Sequence, residues 1–432
     1  MKEINISIAG LGNVGSHLVN TIEKNKDIVD FKSNIKFNIV GISAKNKNKK
    51  RIFNTLNYSW YDNPKNLLNI KNLDVFVELI GQEKGISFDL VKYALENKIH
   101  VVTANKALIA KNGSELFGIA EKNNVLLLYE AAVAGGIPII KMLKNNIFLN
   151  NIKKISGILN GTTNFILTTM YEKNLTFNEA LEIAKSKGYT SDSESELDIG
   201  GLDSAHKLTI LATLSFGAKF NFDNNIVAGI SNIHINDIIN ANKLGYKIKL
   251  ISEVSLIDDK IYCETSPKLI DERSPMANVN GVLNAINIET DQLQSLFLEG
   301  EGAGGRATAS SVISDLYEII SNSNISSLGY SVKKLINYKK LDTKEIESSY
   351  YIRIIAKDIT GVLSKITSYF NESDISVEKI FQLPDSEKYQ ESIPIIITTH
   401  LVQKNKLFNS IKKIETQDFI SEKISIIPIC NN

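Results

Sequence analysis

Asp203 and Lys207 stand four residues apart in the run GGLDSAHK (residues 200–207), immediately before an apolar stretch. The stretch from Leu208 to Leu214 has the pattern of a buried helix. Because four residues span about one helical turn, we expect the carboxylate and the ammonium group on one helix face. A lysine held beside an aspartate can act as a proton donor. The alternative is an ordinary salt bridge at a helix start.

Length and composition narrow the class of protein. The chain has 432 residues, and 49 basic against 48 acidic residues give a net charge of +1. The length predicts two or three domains, and the balanced charge argues against nucleic acid or a membrane surface as a partner. Cys263 and Cys430 form no metal or disulfide motif, which predicts a reducing, cytoplasmic location. A strand pattern from Ile4 leaves no room for a signal peptide, and no apolar run is long enough to span a bilayer.

The first third of the chain alternates between strand and helix patterns. The predicted strands cover 4–9, 37–43, 75–80, 101–103 and 125–129, and helices are predicted from about residue 13, over 88–96 and over 108–122. This order predicts an α/β, doubly wound Rossmann-type domain over residues 1–130.

The pattern changes from about residue 151. Strands at 152–158 and 246–254 and helices at 177–187 and 203–216 predict an α+β domain over residues 131–300. A Gly-rich loop at 299–306 opens a helix to about residue 320, and we expect the segment 301–335 to return to the first domain. Residues 321–347 are rich in Ser, Asn and Lys and predict a linker. The final unit, 349–432, has the βαββαβ order of a ferredoxin-like domain.

The turn after the first strand is a candidate dinucleotide site. Residues 10–15 read GLGNVG and open a helix. Gly10 permits the tight turn, Gly12 lets the backbone approach a pyrophosphate, and Gly15 allows close helix–strand packing. The helix N-terminus adds unpaired N–H groups. The alternative is a purely structural turn. The predicted cofactor-binding residues here are Gly10, Leu11, Gly12, Asn13, Val14 and Gly15.

The end of the second strand distinguishes the two nicotinamide cofactors. An acid there would bind the ribose 2′-OH of NAD(H), whereas cations suit the 2′-phosphate of NADP(H). Residues 43–51 read SAKNKNKKR and contain no acid. We therefore predict NADP(H) as the preferred cofactor, bound in part by Ser43 and Lys45, and keep NAD(H) as the alternative.

Five motifs in order resemble homoserine dehydrogenase. They are TANK (103–106), EAAVAGGIP (130–138), NGTTN (160–164), the stretch 188–207, and GAG followed by ATAS (302–310). Together they cover roughly residues 1–335. The resemblance implies reduction of aspartate semialdehyde to L-homoserine with NADPH or NADH, on the route to threonine, methionine and isoleucine. It also implies that the middle domain binds substrate and forms a homodimer.

The resemblance assigns roles to individual residues. Lys207 would donate a proton to the aldehyde oxygen as hydride reaches the carbon, because an alkoxide in a dry site is costly. Asp203 would hold the substrate ammonium group or orient Lys207, and Lys106 would position the substrate or the nicotinamide. The implied substrate-binding residues are Gly161, Thr162, Tyr189, Asp192, Glu194, Asp198 and Asp203. The further cofactor-binding residues are Thr103, Lys106, Gly188 and Gly304.

One stretch departs from the family pattern. The family has Gly-Tyr-x-Glu, with the glutamate on the substrate amine, but Ser191 occupies that register here. The stretch from Gly188 to Lys207 is also one residue longer than the family pattern. Shifting by this residue puts Asp192 in the role, and Glu194 is the other candidate. The family's proline is missing, which predicts a more mobile loop.

The loop 130–138 resembles the family's monovalent-cation site. The matching residues are Glu130, Val133, Gly135 and Ile137. A hard cation takes oxygen ligands, and small residues let backbone carbonyls turn inward. We predict Na⁺ or K⁺ with a structural role between the domains. The alternative is a Gly-rich hinge without an ion.

The C-terminal unit resembles an ACT domain in residues 355–366, IAKDITGVLSKI. Gly361 lets the chain turn into a helix, and Thr360 stands where proline is common. Such domains pair and hold amino acids at their interface, which implies L-threonine as a feedback inhibitor and a homodimer or homotetramer. The alternative is a pairing module without a ligand.

Two other functions are alternatives to homoserine dehydrogenase activity. A non-catalytic amino-acid sensor on a nucleotide-binding fold is suggested by the altered 188–198 loop and the C-terminal unit. A lyase could use Lys207 as a Schiff-base nucleophile, but Asp203 should keep that lysine charged.

Overall fold

The computed structural model of the chain describes residues 2–321, 326–382 and 392–430. In its N-terminal part, five parallel strands lie in the order β2-β1-β3-β4-β5. All side chains of β3 are buried, as expected for a parallel strand covered on both faces. The strand order reverses between β1 and β3, which creates the crevice where such sheets bind ligands. The elements are β1 Lys2–Ala9, α1 Asn13–Lys24, α2 Lys26–Ser33, β2 Ile35–Ser43, β3 Val75–Glu78, α3 Ile86–Glu96, β4 His100–Thr103, α4 Lys106–Asn123 and β5 Leu127–Leu128.

The middle part builds one half of a second, larger sheet. Its strands lie in the order β11-β10-β6-β8-β9, and the long hairpin of β8 and β9 forms its centre. The elements are α5 Ile139–Lys141, β6 Ile152–Ile158, α6 Gly161–Lys173, α7 Phe177–Ser186, α8 Asp192–Ile199, α9 Leu202–Phe216, β7 Asn225–Val227, α10 Ile235–Lys243, β8 Tyr246–Ile257, β9 Lys260–Asp271, β10 Leu283–Thr290, β11 Ser295–Glu301, α11 Gly305–Ile320 and β12 Lys339–Lys340.

The C-terminal unit extends the same sheet in the order β17-β13-β15-β14. It joins the middle strands where Ile429 of β17 pairs with Leu269 of β9. The elements are β13 Glu347–Lys357, α12 Val362–Glu372, β14 Val377–Gln382, β15 Ser392–Thr399, β16 Val402–Gln403, α13 Lys404–Glu415 and β17 Ser425–Ile429. The predicted fold class, with a doubly wound N-terminal sheet, an α+β middle part and a βαββαβ C-terminal unit, is confirmed.

Helix α11 packs on α1, the helix that follows the predicted cofactor turn. A Cβ added at Gly305 would lie 2.0 Å from the ring of His17 and 2.5 Å from the side chain of Asn13. A side chain at position 305 would force His17 and Asn13 to move, so glycine at this position lets the start of α11 lie close to α1.

The predicted linker at 321–347 is wrong for its described part, 326–347. Leu328, Leu335 and Leu341 are buried, and Lys339–Lys340 pairs with β9. The polar composition hid these three leucines. Leu328 and Leu335 belong to an apolar core that the N-terminal and middle domains share, and the Leu341 amide donates to the Ile261 carbonyl oxygen of β9.

The Gly-rich loop begins later than predicted, because residues 295–301 form β11 against β10. The sequence patterns also gave no prediction for β9 and β10. In the part of the chain that the structure describes, no helix is long and apolar enough to cross a membrane.

Candidate active site

Asp203 and Lys207 form the predicted pair on α9. The Lys207 ammonium nitrogen lies 2.7 Å from Asp203 Oδ2, and both side chains are buried. The same ammonium group donates to the carbonyl oxygen of Leu159 at 2.6 Å. An ammonium group has three N–H donors, so two bonds within the protein leave one for a ligand. Gly201 enters the helix at a φ of 82°, a conformation that favours glycine.

Lys106 reaches the same carboxylate from the N-terminal domain. Its ammonium nitrogen lies 2.9 Å from Asp203 Oδ1, and its side chain is 42% exposed. Lys106 is the first residue of α4 and lies three positions after the last residue of β4, and Asn105 caps that helix by accepting from the Leu108 amide. The contact with Asp203 raises the pKa of Lys106. One aspartate thus joins a lysine from each domain across the crevice.

Asp203 stays ionised despite its burial. Burial alone would raise its pKa, but Lys207 and Lys106 together hold the pKa well below the usual value for an aspartate. One carboxylate therefore lies between the two lysines and offsets one of their two positive charges.

Asn160 connects Asp203 with Asp198. Its Nδ2 donates to Asp198 Oδ1 at 2.7 Å and to Asp203 Oδ2 at 2.9 Å, while its Oδ1 accepts from the Thr163 amide and caps α6. Burial, followed by repulsion from Asp203, raises the pKa of Asp198. The sequence places Asn160 in the NGTTN motif but predicts no role for it, because its two aspartate partners come together only in the fold.

Other predicted substrate residues surround Asp198. Thr162 donates to the carbonyl oxygen of Tyr189 at 3.0 Å, and Thr190 donates to Asp198 Oδ2 at 3.1 Å. A Cβ added at Gly161 would lie 2.5 Å from the carbonyl oxygen of Val282. Gly161, Thr162 and Tyr189 thus lie on the two segments that border Asp198.

Asp192 and Glu194 lie outside this network. The Asp192 carboxylate is 91% exposed and pairs with Lys185 of α7 at 2.9 Å. Glu194 is exposed and accepts from the Ser191 hydroxyl group at 3.2 Å. Neither acid touches Asp203 or Lys207. Among the acids of residues 191–198, only Asp198 is linked to Asp203, through the side chain of Asn160.

The predicted dinucleotide turn has the space that a ligand needs. A Cβ at Gly10 would lie 2.4 Å from the backbone of Leu79, and one at Gly15 would lie 2.0 Å from the carbonyl oxygen of Gly10. A Cβ at Gly12 would meet nothing within 4 Å. Gly12 also precedes α1 without a side-chain cap, so the amides of Asn13 and Val14 open onto this space.

The remaining predicted cofactor residues lie in different parts of the fold. Ser43, Lys45 and Thr103 lie at the carboxyl ends of β2 and β4, whereas Gly188 follows α7 and Gly304 precedes α11. Ser43 is buried and its carbonyl oxygen accepts from the Gly10 amide, whereas Lys45 is exposed. Thr103 donates to buried Glu78 at 2.6 Å. Gly188 and Gly304 both have positive φ values, with open space where a Cβ would stand.

Arg51 is the most firmly held cation of the 43–51 loop. Its guanidinium group donates to the carbonyl oxygens of Leu11, Asn46 and Lys49 and lies 5.3 Å from the ring centroid of Trp60. Sequence reasoning named Arg51 only as part of a basic run. The aromatic residue that orders it comes nine positions later, so no local pattern pointed to it.

The predicted cation loop is buried at Glu130, Val133, Gly135 and Ile137. The Glu130 carboxylate accepts from the amides of Ile140 and Lys141, and its burial beside Asp315 raises its pKa to about 7. The described residues contain no group of three His, Cys, Asp or Glu side chains that could hold a metal. A cation here would rest mainly on backbone carbonyls, and the positive φ values of Ala134 and Gly135 suit such a turn.

Comparisons with known proteins show which family this chain belongs to. The family model for homoserine dehydrogenase matches residues 138–317, the model for its NAD-binding domain matches 10–130, and the ACT-domain model matches 350–417. The homoserine dehydrogenase of Pseudomonas aeruginosa is 36% identical over 432 residues, which cover 98% of this chain and 97% of that protein. The chain belongs to the homoserine dehydrogenase family.

Solved homoserine dehydrogenases share its fold. The enzyme from Thiobacillus denitrificans has a TM-score of 0.92 at 33% sequence identity, and the alignment covers 100% of this chain and 99% of the Thiobacillus chain. A hyperthermophilic archaeal homoserine dehydrogenase mutant in complex with NADPH has a TM-score of 0.60 at 28% identity and covers 74% of this chain and 98% of its own. The protein is thus an oxidoreductase with a nucleotide-binding domain and a C-terminal ACT domain, and the alternative of a sensor without turnover is wrong.

Proposed function

We propose that this homoserine dehydrogenase interconverts L-homoserine and L-aspartate 4-semialdehyde with Lys207 as proton donor and acceptor. The observation that carries the proposal is the buried contact between Lys207 and Asp203, which leaves one N–H of the ammonium group for a ligand. A bound nicotinamide supplies the hydride in one direction and accepts it in the other. The pathway to threonine, methionine and isoleucine follows from this reaction.

Lys207 would act on the substrate oxygen. When hydride adds to the aldehyde carbon, negative charge develops on that oxygen, and the Lys207 ammonium group stabilises it and then gives up a proton. In the other direction neutral Lys207 removes the hydroxyl proton as hydride leaves. Asp203 orients Lys207 by accepting its hydrogen bond at 2.7 Å, and a lysine engaged in this way is poorly placed to attack a carbonyl carbon, which weighs against a Schiff-base lyase.

Lys106 and Asp198 would hold the two ends of the substrate. Lys106 borders both domains through Asp203, so its charge suits a substrate carboxylate or carbonyl oxygen. Asp198 suits the substrate ammonium group, because Asn160 ties it to Asp203 and leaves it half-buried. Asp192 and Glu194 remain the alternatives from the sequence; their exposure weighs against both.

NADP(H) is the proposed preferred cofactor. Arg51, Lys45 and Lys47 follow the second strand, and no acid stands between Ser43 and Arg51. The carbonyl bonds of Arg51 fix one of these cations beside Leu11 of the Gly-rich turn, where a 2′-phosphate would gain a charge-assisted bond. The archaeal relative solved with NADPH is consistent with this choice.

A monovalent cation, Na⁺ or K⁺, is proposed in the loop of Glu130, Val133, Gly135 and Ile137. The loop adjoins α11, because Ser311 donates to the Gly135 carbonyl oxygen at 2.6 Å. A cation there would tie the middle domain to the returning helix. It should raise the melting temperature in Na⁺ or K⁺ over that in choline, and an equal melting temperature in all three salts would count against it.

Feedback by L-threonine through the ACT domain is proposed from the family model at residues 350–417. Coupling requires that threonine favour one conformational state of the enzyme. A homodimer through the middle domain, raised to a homotetramer by ACT pairing, is the proposed assembly, and light scattering of the purified enzyme tests it.

One assay tests the core of the proposal. Purified enzyme is mixed with L-homoserine and either NADP or NAD, and nicotinamide absorbance is followed. Faster formation of NADPH than of NADH supports both reaction and cofactor preference. An enzyme that binds NADPH but oxidises no homoserine would contradict the proposed substrate.

A further inference from the structure

Asn284 is a buried amide without a hydrogen-bond partner. It is the second residue of β10 and is 0% exposed, and among the described residues neither its Oδ1 nor its Nδ2 has a partner. Asn164 of α6, a buried amide in the same region, instead donates to the carbonyl oxygens of Val279 and Leu283 and accepts from Lys249. Buried polar side chains are nearly always paired, and an unpaired one raises the free energy of the arrangement that holds it. An arrangement that pairs Asn284 is therefore favoured by comparison.

The sheet places Asn284 close to the lysine pair. Asn284 stands two positions before Ile286, so both side chains lie on the same face of β10, and Ile286 packs in the apolar core that includes α9. The register of β10 and β6, continued by one residue, puts Asn284 opposite Leu159. The Leu159 carbonyl oxygen accepts from the Lys207 ammonium group. The unpaired amide therefore lies on the sheet face that carries the candidate active site.

Gly302 lies directly against this amide. A Cβ added at Gly302 would lie 1.9 Å from the amide carbon of Asn284, 2.1 Å from its Nδ2 and 2.2 Å from its Oδ1. The Cα of Gly302 therefore faces the amide, and its two peptide groups are directed away from it. A side-chain amide and a peptide group each carry a donor and an acceptor. A rotation of the main chain about Gly302 would bring one of its peptide groups to Asn284.

The 302–305 loop connects Asn284 with the predicted dinucleotide turn. Its sequence is Gly-Ala-Gly-Gly, which leaves the main chain free to rotate, and Gly304 has a φ of 110° with nothing within 4 Å of an added Cβ. At the other end of the loop, Gly305 lies against Asn13 and His17 in the first turns of α1. The amides at the start of α1 are the predicted pyrophosphate site. A dinucleotide bound there would border this loop.

We propose that Asn284 is a positioning residue for the bound dinucleotide. A pyrophosphate at the start of α1 turns the 302–305 loop, a peptide group of that loop pairs with the Asn284 amide, and the paired loop is held over the crevice beside Lys207. Because the amide is unpaired before this turn and paired after it, the dinucleotide and the pairing favour the same loop arrangement. The inference rests on dinucleotide binding and not on the preference for NADP(H).

The first test combines thermal unfolding of the full chain without cofactor and calorimetric titration with NADPH. Asn284→Leu keeps the size of the side chain and removes its amide, so it should raise the melting temperature without cofactor by about 2 °C. The same variant should raise the Kd for NADPH about tenfold, because the turned loop loses its hydrogen bond. The control is Asn287→Leu on the same strand, whose amide oxygen accepts from the Ser295 hydroxyl group at 2.6 Å. It should not raise the melting temperature and should leave the Kd within about twofold, since it removes a paired amide.

The second test is hydrogen–deuterium exchange of the segment 299–306 with and without NADPH. In the wild type NADPH should slow exchange there, and in Asn284→Leu this protection should be lost. Asn284→Ala, which removes the same amide without filling the space, should also lose it and serves if the leucine variant does not fold.

Three results would overturn the inference. An Asn284→Leu enzyme with a lower melting temperature and an unchanged Kd would show that Asn284 only packs in the core. A wild type that binds NADPH without protecting 299–306 would show that the loop does not turn, while dinucleotide binding would stand. A wild type that binds no NADPH would contradict both.

Discussion

The ammonium nitrogen of Lys207 lies 2.7 Å from a carboxylate oxygen of Asp203, one helical turn earlier, and the two side chains are 9% and 8% exposed. Removing one partner from such a pair leaves a buried charge uncompensated, which costs about 3–5 kcal/mol in other proteins. The pair is therefore both a chemical site and a structural contact, and its variants need separate readouts for stability and for turnover.

Asp203→Asn should lower the free energy of unfolding by about 3 kcal/mol, because Lys207 then has no carboxylate. It should also lower kcat, since Lys207 loses its orientation. Urea unfolding and steady-state kinetics measure the two effects. The matched control is Asp192→Asn, which should change the free energy of unfolding by less than about 0.5 kcal/mol, because the Asp192 carboxylate is exposed. Equal losses in both variants would contradict the special place of Asp203.

Asp198→Asn should raise the KM for L-homoserine about 10- to 100-fold while kcat changes less, if Asp198 holds the substrate ammonium group. Burial raises the pKa of Asp198 in the folded enzyme. As the pH falls from the folded pKa toward the lower unfolded pKa, Asp198 binds a proton in the folded enzyme but not in the unfolded chain. This proton uptake raises the free energy of unfolding toward acidic pH. It also removes the ionised carboxylate that would bind the substrate ammonium group. The KM should rise at acidic pH in the wild type and lose that dependence in Asp198→Asn.

The two alternative acids serve as controls for this assignment. Asp192→Asn and Glu194→Gln should leave the KM for L-homoserine within about threefold, because both side chains are exposed. A large rise in KM for either variant, with a normal Asp198→Asn, would move the amine site to the first turn of α8.

The sequence predicted those features of the site that depend on residues close together in the chain. The four-residue spacing of Asp203 and Lys207 and the position of Lys106 after a parallel strand both led to the residues that meet in the fold. The roles of Asn160 and Arg51 depend on partners that are distant in sequence, namely Asp198 with Asp203 and Trp60. The packing of segment 326–347 was not predicted, because its three buried leucines are spread through a polar stretch without a helix or strand periodicity.

Arg51→Ala should raise the KM for NADPH more than tenfold and change the KM for NADH less, because a charge-assisted bond to the 2′-phosphate is lost. Lys45→Ala should act in the same direction but more weakly, since Lys45 is exposed. Lys71→Ala, an exposed lysine outside this loop, is the control. An equal rise in KM for both cofactors would show that Arg51 only orders the loop.

Arg353→Met should lower the free energy of unfolding by about 3–5 kcal/mol. Arg353 of β13 bonds Asp237 of α10 through two nitrogens, at 2.7 and 3.2 Å, and Asp237 is fully buried. Without the arginine, a carboxylate remains buried between the domains. Arg273→Met removes an arginine that is 85% exposed and paired with Asp271, and should cost less than about 1 kcal/mol. Similar losses for both arginines would contradict a buried link between the domains.

The most direct test of the central claim is single-turnover oxidation of L-homoserine by wild type, Lys207→Ala and the control Lys111→Ala, with NADPH binding followed by fluorescence. Lys207→Ala should lower the rate of the chemical step by about 10²- to 10⁴-fold and leave the Kd for NADPH unchanged, while Lys111→Ala stays near wild type. A Lys207→Ala enzyme that keeps its rate, or one that loses NADPH binding with its rate, would contradict the role of Lys207 as proton donor and acceptor.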